Sequence, residues 1–289
     1  MRLQVGARAG VGHRPLHRIV VPVDGSPFSE RAVPVAAWAA EALRASLHLV
    51  EVVDPGAAPE RAVRYLDDLA GRLRCGAASW GVVRGDDPGR AIVAATHLDQ
   101  PSLACLATQG RDRSAAALGS VARRVLDHAA EPVMLVGPKA RPPCAGDAPV
   151  VVAVDGGPGD PAVVGVGAEW AARLSRPLVV ATVAEPVPPS FRESRPMRRA
   201  RGPEDPEAYL AQLVAATVEP GTDVDARVVY DPINVRAGVL RLVDRTAGLI
   251  VLGTHRRTRP LRALVGSHAA RIVHDVEVPA LVVPLDRGG

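Results

Sequence analysis

Short aliphatic runs alternate with longer amphipathic stretches along nearly the whole chain. His17 to Val23 (HRIVVPV) carries an apolar run from Ile19 and is closed by Asp24-Gly25-Ser26-Pro27, the composition of a buried strand followed by a turn. From Glu30 to Leu43, apolar residues at Val33, Ala36, Ala37, Ala40 and Leu43 follow the spacing of a one-faced helix, with Ser26 or Ser29 placed to cap it. Further strands are predicted at Leu47–Val53, Ala77–Val83, Leu103–Ala107 and Pro132–Val136. Helices are predicted at Pro59–Leu73 and Asp87–Leu98, and one opening at Gly119-Ser120.

The same order then recurs. Strands are expected at Pro149–Val154, Leu178–Val183, Val224–Val229, Leu249–Leu252 and Pro279–Val283, and helices at Ala162–Leu174, Tyr209–Val218 and Val235–Arg245, with another opening at Gly266-Ser267. Asp24 and Asp155 lie 131 positions apart, as do Leu47 and Leu178. Past an Arg- and Pro-rich insertion at 186–206, the offset is 146 for both Val82 with Val228 and Ala107 with Gly253. Constant offsets mark an internal duplication. The domain plan is a loose N-terminal tail at 1–16, a first domain at 17–139, a Pro-rich linker at 140–148 and a second domain at 149–286.

Alternating strands and helices, with aliphatic strands, predict an α/β fold of two tandem doubly wound parallel five-stranded sheets, Rossmann-like, each with strand order 3-2-1-4-5. Composition agrees: aromatics are 3%, so the core is built from Val, Leu, Ile and Ala. The formal net charge is +4 and Lys139 is the sole lysine; Arg without interleaved aromatics gives no support to nucleic-acid binding. Cys75, Cys105 and Cys144 show no disulfide or metal spacing, and Cys105, inside a strand, reads as core. His13, His17, His48, His97, His128, His268 and His274 lack zinc-ligand spacing, and no metal site is expected. With no apolar run of membrane-spanning length and no signal-like segment at Met1 to Arg14, a cytoplasmic protein with no membrane partner is the expectation.

Open sheets of this order bind ligands beyond the carboxyl ends of strands 1 and 4. Those ends carry Asp24 with Thr108-Gln109-Gly110 in one half, and Asp155 with Thr254-His255-Arg256 in the other. A carboxylate there can accept hydrogen bonds from ribose or adenine, while a Gly-Ser helix start offers free amides to phosphate. Plainer readings stand beside these. The aspartates form turns with the following glycine, Gly119-Ser120 and Gly266-Ser267 merely start helices, and Arg123, Arg124 and Arg271 are solvated or paired across an interface. The Arg192 to Arg201 cluster reads as a disordered loop.

At these residues the chain resembles the universal stress protein family in its tandem-domain form. The VPVDGS start, the GSVARRVL helix and the Pro-led last strand carry the likeness. The family's nucleotide signature is Gly, two residues, Gly, nine residues, then Gly and Ser or Thr. The first half has Ala107 for the first Gly, keeps Gly110 and Gly119-Ser120, and is one residue short between them; the second keeps Gly253 and Gly266-Ser267 but has Arg256 for the second Gly. The resemblance implies that Pro22, Val23, Asp24, Val52, Ala107, Gly110, Arg111, Gly119, Ser120 and Val121 line one nucleotide site. Val154, Asp155, Val183, Gly253, Arg256, Gly266, Ser267 and His268 line the other. The implied ligand is ATP or another adenine nucleotide, with Mg2+ as an accompanying ion, held by a stress, dormancy or hypoxia regulator. It is not an enzyme; any ATP hydrolysis is slow and incidental. The alternative is a dimeric interaction module that has lost nucleotide. The resemblance further implies an internal pseudo-dimer paired through Pro132–Val136 and Pro279–Val283, and leaves a homodimer open.

Overall fold

The computed structural model describes residues 2–4, 16–73, 78–97, 101–110, 118–143, 146–184, 205–231, 235–243, 247–255 and 267–285. Among the described residues eleven strands form one sheet: β1 (Arg2–Gln4), β2 (Arg18–Pro22), β3 (Ser46–Val53), β4 (Ala78–Arg84), β5 (Ser102–Ala107), β6 (Val133–Val136), β7 (Val150–Val154), β8 (Leu178–Ala184), β9 (Asp223–Tyr230), β10 (Leu249–His255) and β11 (Ala280–Leu285). The helices among the described residues are α1 (Ala32–Leu43), α2 (Glu60–Arg72), α3 (Pro88–Thr96), α4 (Ser120–His128), α5 (Asp160–Leu174), α6 (Pro206–Thr217), α7 (Val235–Val243) and α8 (Ser267–Asp275).

Local sequence accounts for several boundaries. Asp87 accepts from the amides of Gly89 and Arg90 at 3.0 and 3.2 Å, and Asp205 from those of Glu207 and Ala208 at 3.1 and 3.0 Å; each cap is followed by a proline at the first helical position. The predicted serine cap works one turn earlier than α1. Ser26 Oγ accepts from the Ser29 amide at 3.2 Å and steadies a 3-10 turn at Ser29–Arg31. Arg44 and Ser175, 131 positions apart, both end their helices in the left-handed region, at φ 53° and 51°. The duplication thus reaches single backbone angles.

Each half follows the expected order: β4-β3-β2-β5-β6 and β9-β8-β7-β10-β11, parallel within each half. The last strands pair antiparallel, with Val282 opposite Val133 and Ala280 opposite Leu135, so the two expected sheets are one continuous sheet. A second correction concerns the N-terminal tail. Arg2 to Gln4 is not loose but adds β1 antiparallel to the outer edge of β9, with Arg2 opposite Asp225.

Both sheet faces are covered, and each apolar layer crosses the seam. One contains Val35, Leu66, Val164 and Leu210; the other Ile92, Val125, Val239 and Ile272. Cys105 is fully buried in the first layer, as its strand position required. At the seam Gly137 lies so close to the backbone carbonyl of Val273 that any Cβ would collide with it. The Arg141 amide donates to the Glu277 carbonyl at 2.9 Å, and Lys139 pairs with Asp275 at 3.5 Å.

Candidate functional site

In the first half, β2 and β5 are neighbours, and the chain leaves their carboxyl ends on opposite faces of the sheet. Asp24 follows β2. Its Oδ1 accepts from the Ser26 amide at 2.9 Å and its own amide donates to Ser29 Oγ at 3.2 Å, so the turn reading of this aspartate holds. Its other oxygen points across the crevice, 3.0 Å from where a Cβ on Gly110 would stand. Any larger residue at 110 would press on the carboxylate. Pro22 and Val52 are half-buried, and Val23 is buried with its amide donating to Val50 O at 2.8 Å.

Beyond β5 the Thr108 amide donates to Val136 O at 3.0 Å, and the Gly119 amide donates back to Thr108 O at 2.6 Å. This short bond closes the loop at its neck and brings Gly119 to the start of α4. A Cβ on Gly119 would sit 3.0 Å from Thr108 O and 3.7 Å from Gln109 Cα. Neither Ala107, Gly110 nor Gly119 has positive φ, so close approach rather than a left-handed backbone asks for the glycines. No side chain among the described residues caps α4. Ser120 and Val121 of its first turn are exposed. Thr108 Oγ1 is buried and has no hydrogen-bond partner among the described residues. That is an orphaned hydroxyl beside an uncapped helix start. Arg111 lies outside the described residues.

The second half places the equivalent elements together but fills the space differently. Asp155 is exposed and its Oδ1 accepts from the Gly157 amide at 3.1 Å, again a turn. Beneath it Asp160 is 4% exposed and accepts from the Gly156 amide at 2.8 Å and the Tyr209 hydroxyl at 2.6 Å. Burial raises its pKa, and Tyr209 and the amide bonds only partly oppose this. In the first half a parallel bond runs from Tyr65 to Glu30 Oε1 at 3.0 Å, again tying the second helix to the loop after the first strand.

Gly253 matches the signature, yet a Cβ there would stand 2.8 Å from Leu285 Cδ1 and 2.9 Å from Val163 Cγ2. The Leu285 side chain also lies against Gly159. These two glycines therefore make room for protein. Val154 and Val183 are each 7% exposed, and Thr182 Oγ1 donates to Val154 O at 3.0 Å. Arg256 and Gly266 lie outside the described residues; Ser267 and His268 open α8.

Of the helix-face arginines, Arg124 pairs with Asp87 at 3.3 Å between α4 and α3 within the first half, not across the seam, while Arg123 and Arg271 are exposed. The Arg192 to Arg201 cluster, Cys75 and Cys144 lie outside the described residues. Sequence reasoning did not single out Asp160, Phe28 or Leu285. The offsets held a signal, since they align Gly159 with Phe28 and Gly253 with Ala107. No helix among the described residues is long and apolar enough to cross a membrane.

The profile of the universal stress protein family matches residues 15–137 and again 148–284. A universal stress protein of Mycobacterium tuberculosis strain CDC 1551 / Oshkosh is 28% identical over 306 aligned positions, covering 93% of this chain and 96% of its own. One from Mycobacterium bovis strain ATCC BAA-935 / AF2122/97 is 27% identical over the same shares. A solved universal stress protein from Archaeoglobus fulgidus DSM 4304 superposes with a TM-score of 0.63 at 16% identity, covering 94% of this chain and 98% of that one. A structure described as a universal stress protein from Pseudomonas aeruginosa UCBPP-PA14 gives a TM-score of 0.60 at 20% identity and 93% coverage of both. At such identities the two structures establish likeness of fold.

Proposed function

Since the chain belongs to the universal stress protein family, as a tandem of two family domains, we propose that it binds an adenine nucleotide in its first domain and acts in the cytoplasm as a regulator. One observation carries this reading. The Asp24 carboxylate and the start of α4, which no described side chain caps, lie beyond the carboxyl ends of β2 and β5, where Gly110 and Gly119 add no side chain of their own. Asp24 then serves the ribose or adenine, and the amides of the first turn of α4 receive phosphate, with Mg2+ as an accompanying ion. The protein holds its nucleotide rather than consuming it, and hydrolysis is at most slow.

The second domain contributes architecture in this reading, because Leu285 and Val163 occupy the space at Gly253. The other reading, an interaction module without nucleotide, draws on that same observation and applies it to both halves. The test starts from protein as purified, denatured to release any bound nucleotide for identification by mass, followed by calorimetric titration of ATP. One nucleotide per chain is expected. Gly119→Val abolishes binding and Gly266→Val retains it. Empty protein that also gives no heat with ATP sinks the proposal.

A further inference from the structure

A cavity of about 480 Å³ opens between the domains at the amino ends of β5 and β6, the opposite end of the first half from the crevice at Asp24. Leu16 and, from domain 1, Ser102 and Glu131 line it on one side, and Glu169, Trp170 and Arg173 of α5 in domain 2 on the other. Neither domain alone makes it. Its size falls within the range of small-molecule sites, roughly 300–1,000 Å³.

The duplication supplies a built-in comparison. The internal symmetry pairs this cavity with the matching place at the amino end of β10, facing α1. Ser102 corresponds there to Gly248, Glu169 to Trp38, and Trp170 to Ala39. That second place is filled. The Arg176 guanidinium lies 5.7 Å above the Trp38 ring, donates to Ala148 O at 2.9 Å, and packs so closely on Gly248 that a Cβ there would clash. Position 176 corresponds to Ala45 in the first half. The first-half cavity has therefore exchanged both filling side chains, the indole and the cation above it, for Glu169 and Ala45. In return it has gained an indole in its wall, Trp170, which is 4% exposed.

We propose that this cavity is a ligand site for a planar aromatic carrying a positive charge, the chemical equivalent of the stacked Trp38 and Arg176 that close its twin. The shape argument is the missing indole and guanidinium. The charge argument is the described lining: Glu131 and Glu169 stand with the His97 imidazole and the Arg173 guanidinium, which pairs with Glu169 along α5. Among the described lining side chains two carboxylates accompany one guanidinium, and Glu131 is exposed at the rim. An aromatic cation buries its ring beside Trp170 and places its charge toward Glu131, a combination favoured by stacking and by Coulomb attraction. The site is independent of the nucleotide reading.

Tryptamine tests this, with indole-3-acetate as the charge-reversed control, by calorimetric titration of the whole chain. Tryptamine gives a saturable one-to-one isotherm, and indole-3-acetate gives none. Glu169→Trp, which copies the filled twin, abolishes tryptamine binding. Glu131→Lys, a change at an exposed position that leaves the fold intact, weakens tryptamine by about fivefold or more and lets indole-3-acetate bind. Neither variant alters ATP binding. If Glu169→Trp fails to fold by circular dichroism, Glu131→Lys decides alone. Absence of a saturable tryptamine isotherm, equal binding of both probes, or insensitivity to Glu131→Lys overturns the proposal.

Discussion

The two crevices of this molecule are built on the same backbone and differ in what occupies them. Strand registers and offsets make Phe28 equivalent to Gly159, Ala107 to Gly253 and Pro138 to Leu285. In the second half two glycines leave space and one leucine, 7% exposed, takes it. In the first half Pro138, beyond the end of β6, stands in place of the leucine and the two glycine positions carry Cβ atoms. A glycine in a signature can thus serve a ligand or serve a neighbour, and sequence does not distinguish the two. What distinguishes them is the atom that a Cβ would meet. At Gly110 and Gly119 it is the Asp24 carboxylate and a loop carbonyl; at Gly253 it is aliphatic core.

The largest effect is expected at the seam that holds the halves in register. Gly137→Val forces a side chain into the Val273 carbonyl, a backbone atom with no slack, and costs on the order of 4 kcal/mol or abolishes cooperative folding, as urea denaturation reports. Next comes the filler itself. Leu285→Ala leaves a void between Gly159 and Gly253 and lowers stability by about 2–3 kcal/mol, whereas Pro138→Ala changes it by less than about 0.5 kcal/mol. Equal costs at the two positions break the comparison.

The glycine positions themselves come third. Gly253→Ala meets Leu285 and Val163 and costs about 1–2 kcal/mol. Ala107→Gly restores the signature residue in the first half and costs about 0.5–1 kcal/mol through strand entropy. If Gly253→Ala lowers nucleotide affinity instead of stability, the second crevice is a ligand site after all.

The smallest effect is a slope. Asp160 is held above its ordinary value of 3.8 by burial, so the folded state takes up this proton before the unfolded state does. Stability therefore falls as pH rises from 3.8 to the raised value. Asp160→Asn flattens that part of the profile, whereas the corresponding change in the first half, Ser29→Ala, leaves the slope in place. Urea midpoints across an acid pH series measure both.

Much of this fold could be read from periodicity. Aliphatic runs such as Leu47–Val53 and one-sided helices such as Ala32–Leu43 have few other ways to hide their apolar faces, and the offsets tied the halves together. The misses have physical causes. Arg2–Gln4 carries no periodic signal, because three residues are too few for one, and the edge of β9 creates it as a strand. Pro284 marks a plausible strand end, which hid the continuation to Leu285 and with it the filling of the second crevice. Asp160 stands where an ordinary first-turn helix acid would stand, and only Tyr209, 49 positions away, reveals its burial. Thr108 was placed at the crevice by spacing, but its orphaned hydroxyl depends on side-chain packing.

The pairing of β1 with β9 also imposes a timetable. Arg2 meets Asp225, so a segment made before the first domain finds its place only after more than two hundred further residues have been added. At synthesis rates of about 5–20 residues per second this is a wait of roughly 10–45 s. During that interval the first domain can already have folded. The outer edge of the second domain is therefore closed by a segment that precedes the first.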